Sequence, residues 1–134
     1  MNRLLHILAS LITLFSISAN LQATNYYTLT SGNYADAVSV WSLDGISACG
    51  CNPGTTISGP DSIFVRHDLD MTSITLQSGG AMVISSGVNV AGTGSMAVSS
   101  GTAINNGNLT IASIVNSFGS VTSNGILEVN VSNF

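Results

Sequence analysis

The sequence has no lysine. Its basic residues are Arg3 and Arg66, set against six acids: Asp36, Asp44, Asp61, Asp68, Asp70 and Glu128. Nucleic-acid binding rests on a basic footprint laid over phosphates, so no nucleic-acid partner is expected. Anionic membrane surfaces are disfavoured on the same ground. The few charges are also confined. From Met71 to Leu127 there is no Asp, Glu, Lys, Arg, His or Cys. General acid–base catalysis needs a titratable group, and metal sites usually draw on carboxylate, imidazole or thiolate ligands. That stretch therefore supplies no catalytic residue and no metal ligand, and no cofactor is expected. Shape and neutral hydrogen bonding are what it has to work with.

Glycine is what the same stretch does have. It recurs at 80, 87, 94, 101, 107, 119 and 125, with Ser113 at the one missing beat. After each beat comes a short strand-like run, such as Ala81 to Ile84, Ser95 to Val98, Asn108 to Ile111 and Ile126 to Val129. A unit this short is too small for a helix; it fits a turn and a few extended residues, stacked as a β-solenoid. Residues two apart face one side of a strand. Met82/Ile84, Met96/Val98, Leu109/Ile111 and Leu127/Val129 are thus expected to point inward, as are Ile63/Val65 and Ile74/Leu76. The glycines are expected at corners that need positive φ. Three sides of six or seven residues predict coils of about 18–21 residues, and a two-sided coil stays open. The expected fold class is all-β, a right-handed parallel β-helix.

Three segments are expected: residues 1–23, 24–60 and 61–134. The first reads as a signal peptide. Asn2-Arg3 forms its basic start, Leu4 to Ile17 its apolar run, and Leu21-Gln22-Ala23 its cleavage site, with Ala19 as second choice. The apolar run is short for a membrane span. Removal after Ala23 leaves one basic residue against six acids, a net charge of −5. A secreted or cell-surface location follows, with no stable membrane insertion after cleavage.

Residues 24–60 read as a cap and a loop. Thr24 to Thr30 forms a first strand, rich in aromatic and β-branched types. Tyr34 and Trp41 are expected to plug the open first coil, since a solenoid end otherwise exposes core and strand edge. A sugar platform is the rival reading of the two rings. The loop Leu43 to Pro60 is full of breakers and carries Cys49-Gly50-Cys51. Three readings of the cysteines stay open: a local disulfide, free thiols, or a site completed elsewhere. A catalytic thiol would need His67 to reach this loop. Arg66-His67-Asp68-Leu69-Asp70 is the one charge cluster. It reads as a solvated turn, with Arg66 pairing Asp68 or Asp70, rather than as a catalytic group.

Ser31-Gly32-Asn33-Tyr34, then Val40-Trp41-Ser42, then the Cys loop with Pro53, then Gly59-Pro60-Asp61-Ser62-Ile63-Phe64-Val65 form an ordered series. It resembles the N-terminal part of large secreted or surface β-helix proteins of Bacteroidetes-type bacteria. There an S-G-N-W…W segment precedes P-x-x-x-D-x-V-x-I and then G-x-L-x-I repeats. Tyr34 replaces the usual Trp, and the Cys-Gly-Cys loop is long for the pattern. The resemblance implies an adhesin-like protein, and a chain that is the N-terminal part of something longer, truncated at its C-terminus.

The expected function is a non-catalytic, exported structural or adhesive module of a bacterial surface. Its expected partners are extracellular polysaccharide or neighbouring solenoid chains. The alternative is the leading coils of a polysaccharide lyase or hydrolase whose catalytic residues lie outside this chain. Ice binding is a weaker rival, because the outward threonines Thr75, Thr110 and Thr122 form no repeated Thr-x-Thr. Calcium-binding nonapeptides are excluded, because Gly-Gly-x-Gly-x-Asp never occurs.

Overall fold

Each short strand finds its hydrogen-bond partner one coil away, and this is what turns a turn-and-strand sequence into a solenoid. The computed structural model describes residues 22–130. The expected signal peptide thus lies almost wholly outside the described residues. The first coil holds β1 (Asn25–Thr28), β2 (Gly32–Asn33), β3 (Trp41–Ser42) and β4 (Thr56–Ile57). The second holds β5 (Ser62–Val65), β6 (Leu69–Asp70) and β7 (Ile74–Gln77), and the third β8 (Ala81–Ile84), β9 (Asn89–Ala91) and β10 (Ser95–Ser99). The fourth holds β11 (Thr102–Asn105), β12 (Asn108–Ile111) and β13 (Ser113–Asn116). A last partial coil adds β14 (Ser120–Ser123) and β15 (Ile126–Val129).

These strands stack into three walls. The first wall runs β14-β11-β8-β5-β1-β3, the second β15-β12-β9-β6-β2, and the third β13-β10-β7-β4. Every pairing is parallel except β1 with β3. The result is a three-sided parallel β-helix of about four turns, which removes the two-sided alternative. On the first wall Ser62 pairs with Ala81, Ala81 with Thr102, and Thr102 with Ser120, steps of 19, 21 and 18 residues. On the third, Ile74 pairs with Met96 and Met96 with Ile114, steps of 22 and 18. The first coil is longer. Asn25 pairs with Ser62, a step of 37, because the segment after β2 leaves the coil to form the cap and the Cys loop.

The core is a column inside the three walls. Ile63, Val65, Ile74, Leu76, Met82, Ile84, Met96, Val98, Leu109 and Ile111 all point inward and are buried. Burying one such aliphatic side chain contributes about 1.5–3 kcal/mol. Leu127 and Val129 sit in register with Leu109 and Ile111. They remain 37% and 39% exposed, because among the described residues no further coil stacks on them. Among the described residues three polar side chains are buried, Thr28, Ser42 and Asn105, and Asn105 lies among the regular coils. Asn105 is 4% exposed and lies in register with Ile84. Its Nδ2 donates to Ser123 Oγ (3.0 Å) and to the Ile126 carbonyl (2.8 Å), while its Oδ1 accepts from Gly107 N–H (3.1 Å). A buried amide is tolerated when its groups are satisfied in this way. Here it ties the fourth coil to the fifth.

The glycine spacing has a different cause from the one expected. Of the seven paced glycines only Gly87 has positive φ, at 78°. At the others the corner backbone runs against the corner one coil below. A Cβ on Gly101 would sit 2.7 Å from the Gly80 carbonyl oxygen, and one on Gly119 would sit 2.7 Å from that of Gly101. Gly107 is wedged against the Val88 and Ser85 carbonyls, and Gly125 against the Gly107 carbonyl. The spacing therefore records backbone-to-backbone contact between coils, where a side chain has no room.

Two substitutions separate these causes. Gly107→Ala must displace backbone, an overpacking cost at or above about 3 kcal/mol. Gly87→Ala meets nothing within 4 Å and carries only the left-handed penalty of about 1–2 kcal/mol. Urea unfolding is expected to rank Gly107→Ala well below Gly87→Ala; the reverse order would restore the φ explanation. Ile111→Asp, which buries an unpaired charge, is expected to cost several kcal/mol or to unfold the chain.

Candidate functional site

Register decides which side chains meet on the outer walls. On the first wall Tyr27, Phe64, Val83 and Ile104 form one outward column. The Tyr27 and Phe64 rings stack at 5.1 Å, and the Arg66 guanidinium lies 4.3 Å from the Tyr27 ring centroid. That cation–π contact replaces the pairing with Asp68 or Asp70 expected for Arg66. On the second wall Asn108 Nδ2 donates to Asn89 Oδ1 (2.7 Å), and Asn89 N–H donates to Asp68 Oδ1 (2.7 Å). On the third, Ser113 Oγ donates to Ser95 Oγ (2.7 Å), and Ser95 N–H donates to Ser73 Oγ (3.1 Å). The second and third walls thus carry hydrogen-bonded ladders at the coil spacing, about 4.8 Å, neutral throughout on the third wall and ending on the Asp68 carboxylate on the second.

The charge cluster is divided by the fold. Thr28, buried in β1, accepts at Oγ1 from the Arg66 N–H (2.8 Å) and the His67 N–H (3.1 Å). The His67 Nδ1 lies 2.9 Å from the Thr28 carbonyl. A carbonyl only accepts, so Nδ1 carries the proton. His67 is thereby fastened to the corner below the first wall. Asp68 and Asp70 instead face outward on the second wall, where β6 pairs with β2 and sets Asn33 beside Asp70. Two shallow depressions meet at Asp70. One, of about 630 Å³, includes Asn33, Thr72, Ser73 and Thr93; the other, of about 220 Å³, includes Ser31, Asp68 and Asn89. Together they make an open trough of carboxylate, amide and hydroxyl groups.

The cap is built from the residues singled out in the sequence. Tyr34 and Trp41 are 1% and 0% exposed and meet edge to face at 5.1 Å. Trp41 Nε1 and Asn52 Nδ2 both donate to the Tyr34 carbonyl at 2.8 Å, and the Tyr34 hydroxyl donates to the Gly54 carbonyl at 2.8 Å. Burial pushes the Tyr34 hydroxyl pKa well above its ordinary value, with the Tyr26 phenol adding to the rise. Neither ring is presented as a sugar platform. Cys49 and Cys51 are joined as a disulfide. A ring this small closes little chain entropy, so its effect is local, beside the Cys49 N–H that donates to the Trp41 carbonyl (2.9 Å).

Sequence reasoning missed Asn33 as a neighbour of Asp70. The longer first coil hides that register. The amide ladder through Asn108 and Asn89 was missed as well, because it joins two coils. No family model matches the chain, and neither does any curated protein or solved structure.

The cap loop has its own pH dependence. The Ser47 and Ile46 N–H groups and the Ser42 hydroxyl hold the Asp44 carboxyl down at about 2, from an ordinary 3.8. Asp36 is lowered in the same way by the Val38 N–H and by Ser39. A lowered folded-state pKa stabilises the ionised form. That contribution is complete above about pH 4 and is lost as pH falls toward 2. Trp41, the only tryptophan, reports on it. Its fluorescence is expected to hold from pH 7 to 4 and to change below that, and Asp44→Asn is expected to flatten the change. A transition near pH 6 would implicate another group.

Proposed function

We propose that the chain is a non-catalytic, exported structural or adhesive module of a bacterial surface or secreted protein, and that its second wall holds a neutral, hydroxyl-rich polymer such as an extracellular polysaccharide. One observation carries this reading. The trough at Asp70 opens beside pairs of Asn and of Ser stacked at the coil spacing, in a stretch with no titratable side chain from Met71 to Leu127. Amides and hydroxyls both donate and accept hydrogen bonds, as sugar hydroxyls do. Repetition along the wall matches a polymer better than a small molecule, because each added coil adds a contact. Among the described residues no three His, Cys, Asp or Glu side chains gather as a metal site. The export and the bacterial setting in this reading come from the N-terminal segment and the S-G-N-Y…W resemblance.

Sedimentation of the purified protein with insoluble polysaccharides, cellulose and chitin first, tests it. The bound fraction is expected to fall at least fivefold in Asn33→Ala/Asp70→Ala, while Tyr27→Ala leaves it within twofold. Release of reducing ends during the same incubation would instead favour the leading coils of a polysaccharide-active enzyme. Equal binding by the wild type and the double variant would sink the trough as the site.

A further inference from the structure

The first wall begins where the expected leader ends. Gln22 and Ala23 are exposed and lie outside any strand. Thr24 is half-buried and is held at both of its backbone groups. Its carbonyl accepts from the Ser62 N–H at 2.9 Å, and its own N–H donates to Asp61 Oδ1 at 2.8 Å. The next residue, Asn25, opens β1 and pairs with Ser62 of β5.

The strand ladder fixes both partners of that last bond. The Thr24 nitrogen sits where β1 enters parallel register with β5. Asp61 is pinned at the corner before β5, where its own carbonyl accepts from the Ala81 N–H at 3.0 Å. Its backbone thus bonds to the third coil while its carboxylate reaches the first. In the uncut chain that carboxylate, a full negative charge, meets only a neutral amide at Thr24. The other charged groups around β1 and β5 are engaged elsewhere. Arg66 lies over the Tyr27 ring, and His67 is fastened to the Thr28 carbonyl. Asp36 and Asp44 close turns within the cap.

We infer that Asp61 is the binding site for the mature chain's own N-terminus: cleavage of the Ala23–Thr24 bond turns the Thr24 amide into an α-ammonium ion that pairs with the Asp61 carboxylate. The hydrolysis consumes one water. Its oxygen goes to the Ala23 carbonyl carbon, which leaves on the leader as a carboxylate, and both its hydrogens end on the Thr24 nitrogen. One N–H stays aimed at Oδ1, and the bond becomes charge-assisted from both sides. An exposed pair of two long side chains contributes little, because both must be ordered. Here the cation has no side chain to order, and the bond from Ser62 already holds its residue in place. Cleavage after Ala19 would instead leave Thr24 an amide, so the geometry selects between the two expected cleavage sites. This rests on the export proposed above and is independent of the Asp70 trough.

The absence of lysine makes the test clean, since the α-amine is then the one amine of the mature protein that an amine-selective succinimidyl ester can acylate. Intact mass of the chain exported from bacterial cells is expected to start it at Thr24. The acylation rate against pH, read by mass, is expected to titrate above the ordinary α-amine range of about 7.7–8.0. It is expected to fall back to that range in Asp61→Asn and in the wild type unfolded in urea. A raised folded-state pKa gives stability that is complete below the unfolded value and is lost as pH rises through the folded one. Acylation is therefore expected to lower the wild-type Tm by about 4 °C at pH 7, with the gap closing above the amine's titration, and to leave the Tm of Asp61→Asn unchanged. A chain that keeps its leader would overturn both this inference and the export. A chain that starts at Asn20 would overturn this inference alone. So would a Thr24 amine that titrates alike in the folded and the urea-unfolded wild type, a comparison that holds whether or not Asp61→Asn folds.

Discussion

The structure depends on the backbone of one corner lying directly on the backbone of the corner beneath. Gly80, Gly101 and Gly119 form one such stack, and Gly107 and Gly125 another. Parallel strands in neighbouring coils need a separation of about 4.8 Å along the whole wall. A Cβ at the corner would prop the coils apart there, and the ladders on both adjoining walls would open. The glycines thus act on the walls at a distance. They let the Gly80 carbonyl accept from Thr102 N–H at 3.0 Å, and the Gly101 carbonyl from Ser120 N–H at 2.9 Å. Those bonds start the strands in register, and the register then sets which side chains face inward.

Register also explains how a chain with 6% charged residues keeps a polar outside. Two outward columns place like beside like: amide on amide from Asn89 to Asn108, hydroxyl on hydroxyl from Ser95 to Ser113. Like charges stacked at this distance would repel, whereas amides and hydroxyls both donate and accept and can be repeated without limit. The absence of titratable groups from Met71 to Leu127 is therefore a structural consequence of stacking as well as a constraint on chemistry. Charge survives where stacking is interrupted. Arg66, Asp68 and Asp70 lie against the irregular first coil, and Asp36 and Asp44 lie in the cap, where their carboxylates close local turns.

The periodic part of the fold was legible because period-two alternation and a six- to seven-residue beat are local properties. Met82/Ile84, Met96/Val98 and Leu109/Ile111 could be turned inward without knowing the number of walls. What was not legible depends on pairing across coils. The role of glycine at 101 and 107 was misread because φ is a property of one residue, whereas the contact belongs to two. Asn105 carries no signal of its own in the sequence. Only the coil above, with Ser123 and the Ile126 carbonyl, shows why an amide can be buried there. The Asn33–Asp70 pair was hidden by the excursion after β2, which breaks the constant step that would have aligned them.

A solenoid is stabilised layer by layer, each coil by its neighbours, so its ends decide whether the stack is finite. This chain spends much of its sequence complexity on one end. Its single tryptophan, the disulfide and a loop held by Asp36, Asp44 and Asn52 are all gathered there. The repeats need none of these, because each coil supplies the next with both an edge and an apolar face. Among the described residues the cap has no coil beneath it and does both at once. β3 turns back antiparallel to close the edge of the first wall, and the Tyr34 and Trp41 rings fill the cross-section. An irregular segment is thus the condition for the regular one, which explains why the unpatterned part of the sequence holds its largest buried side chains.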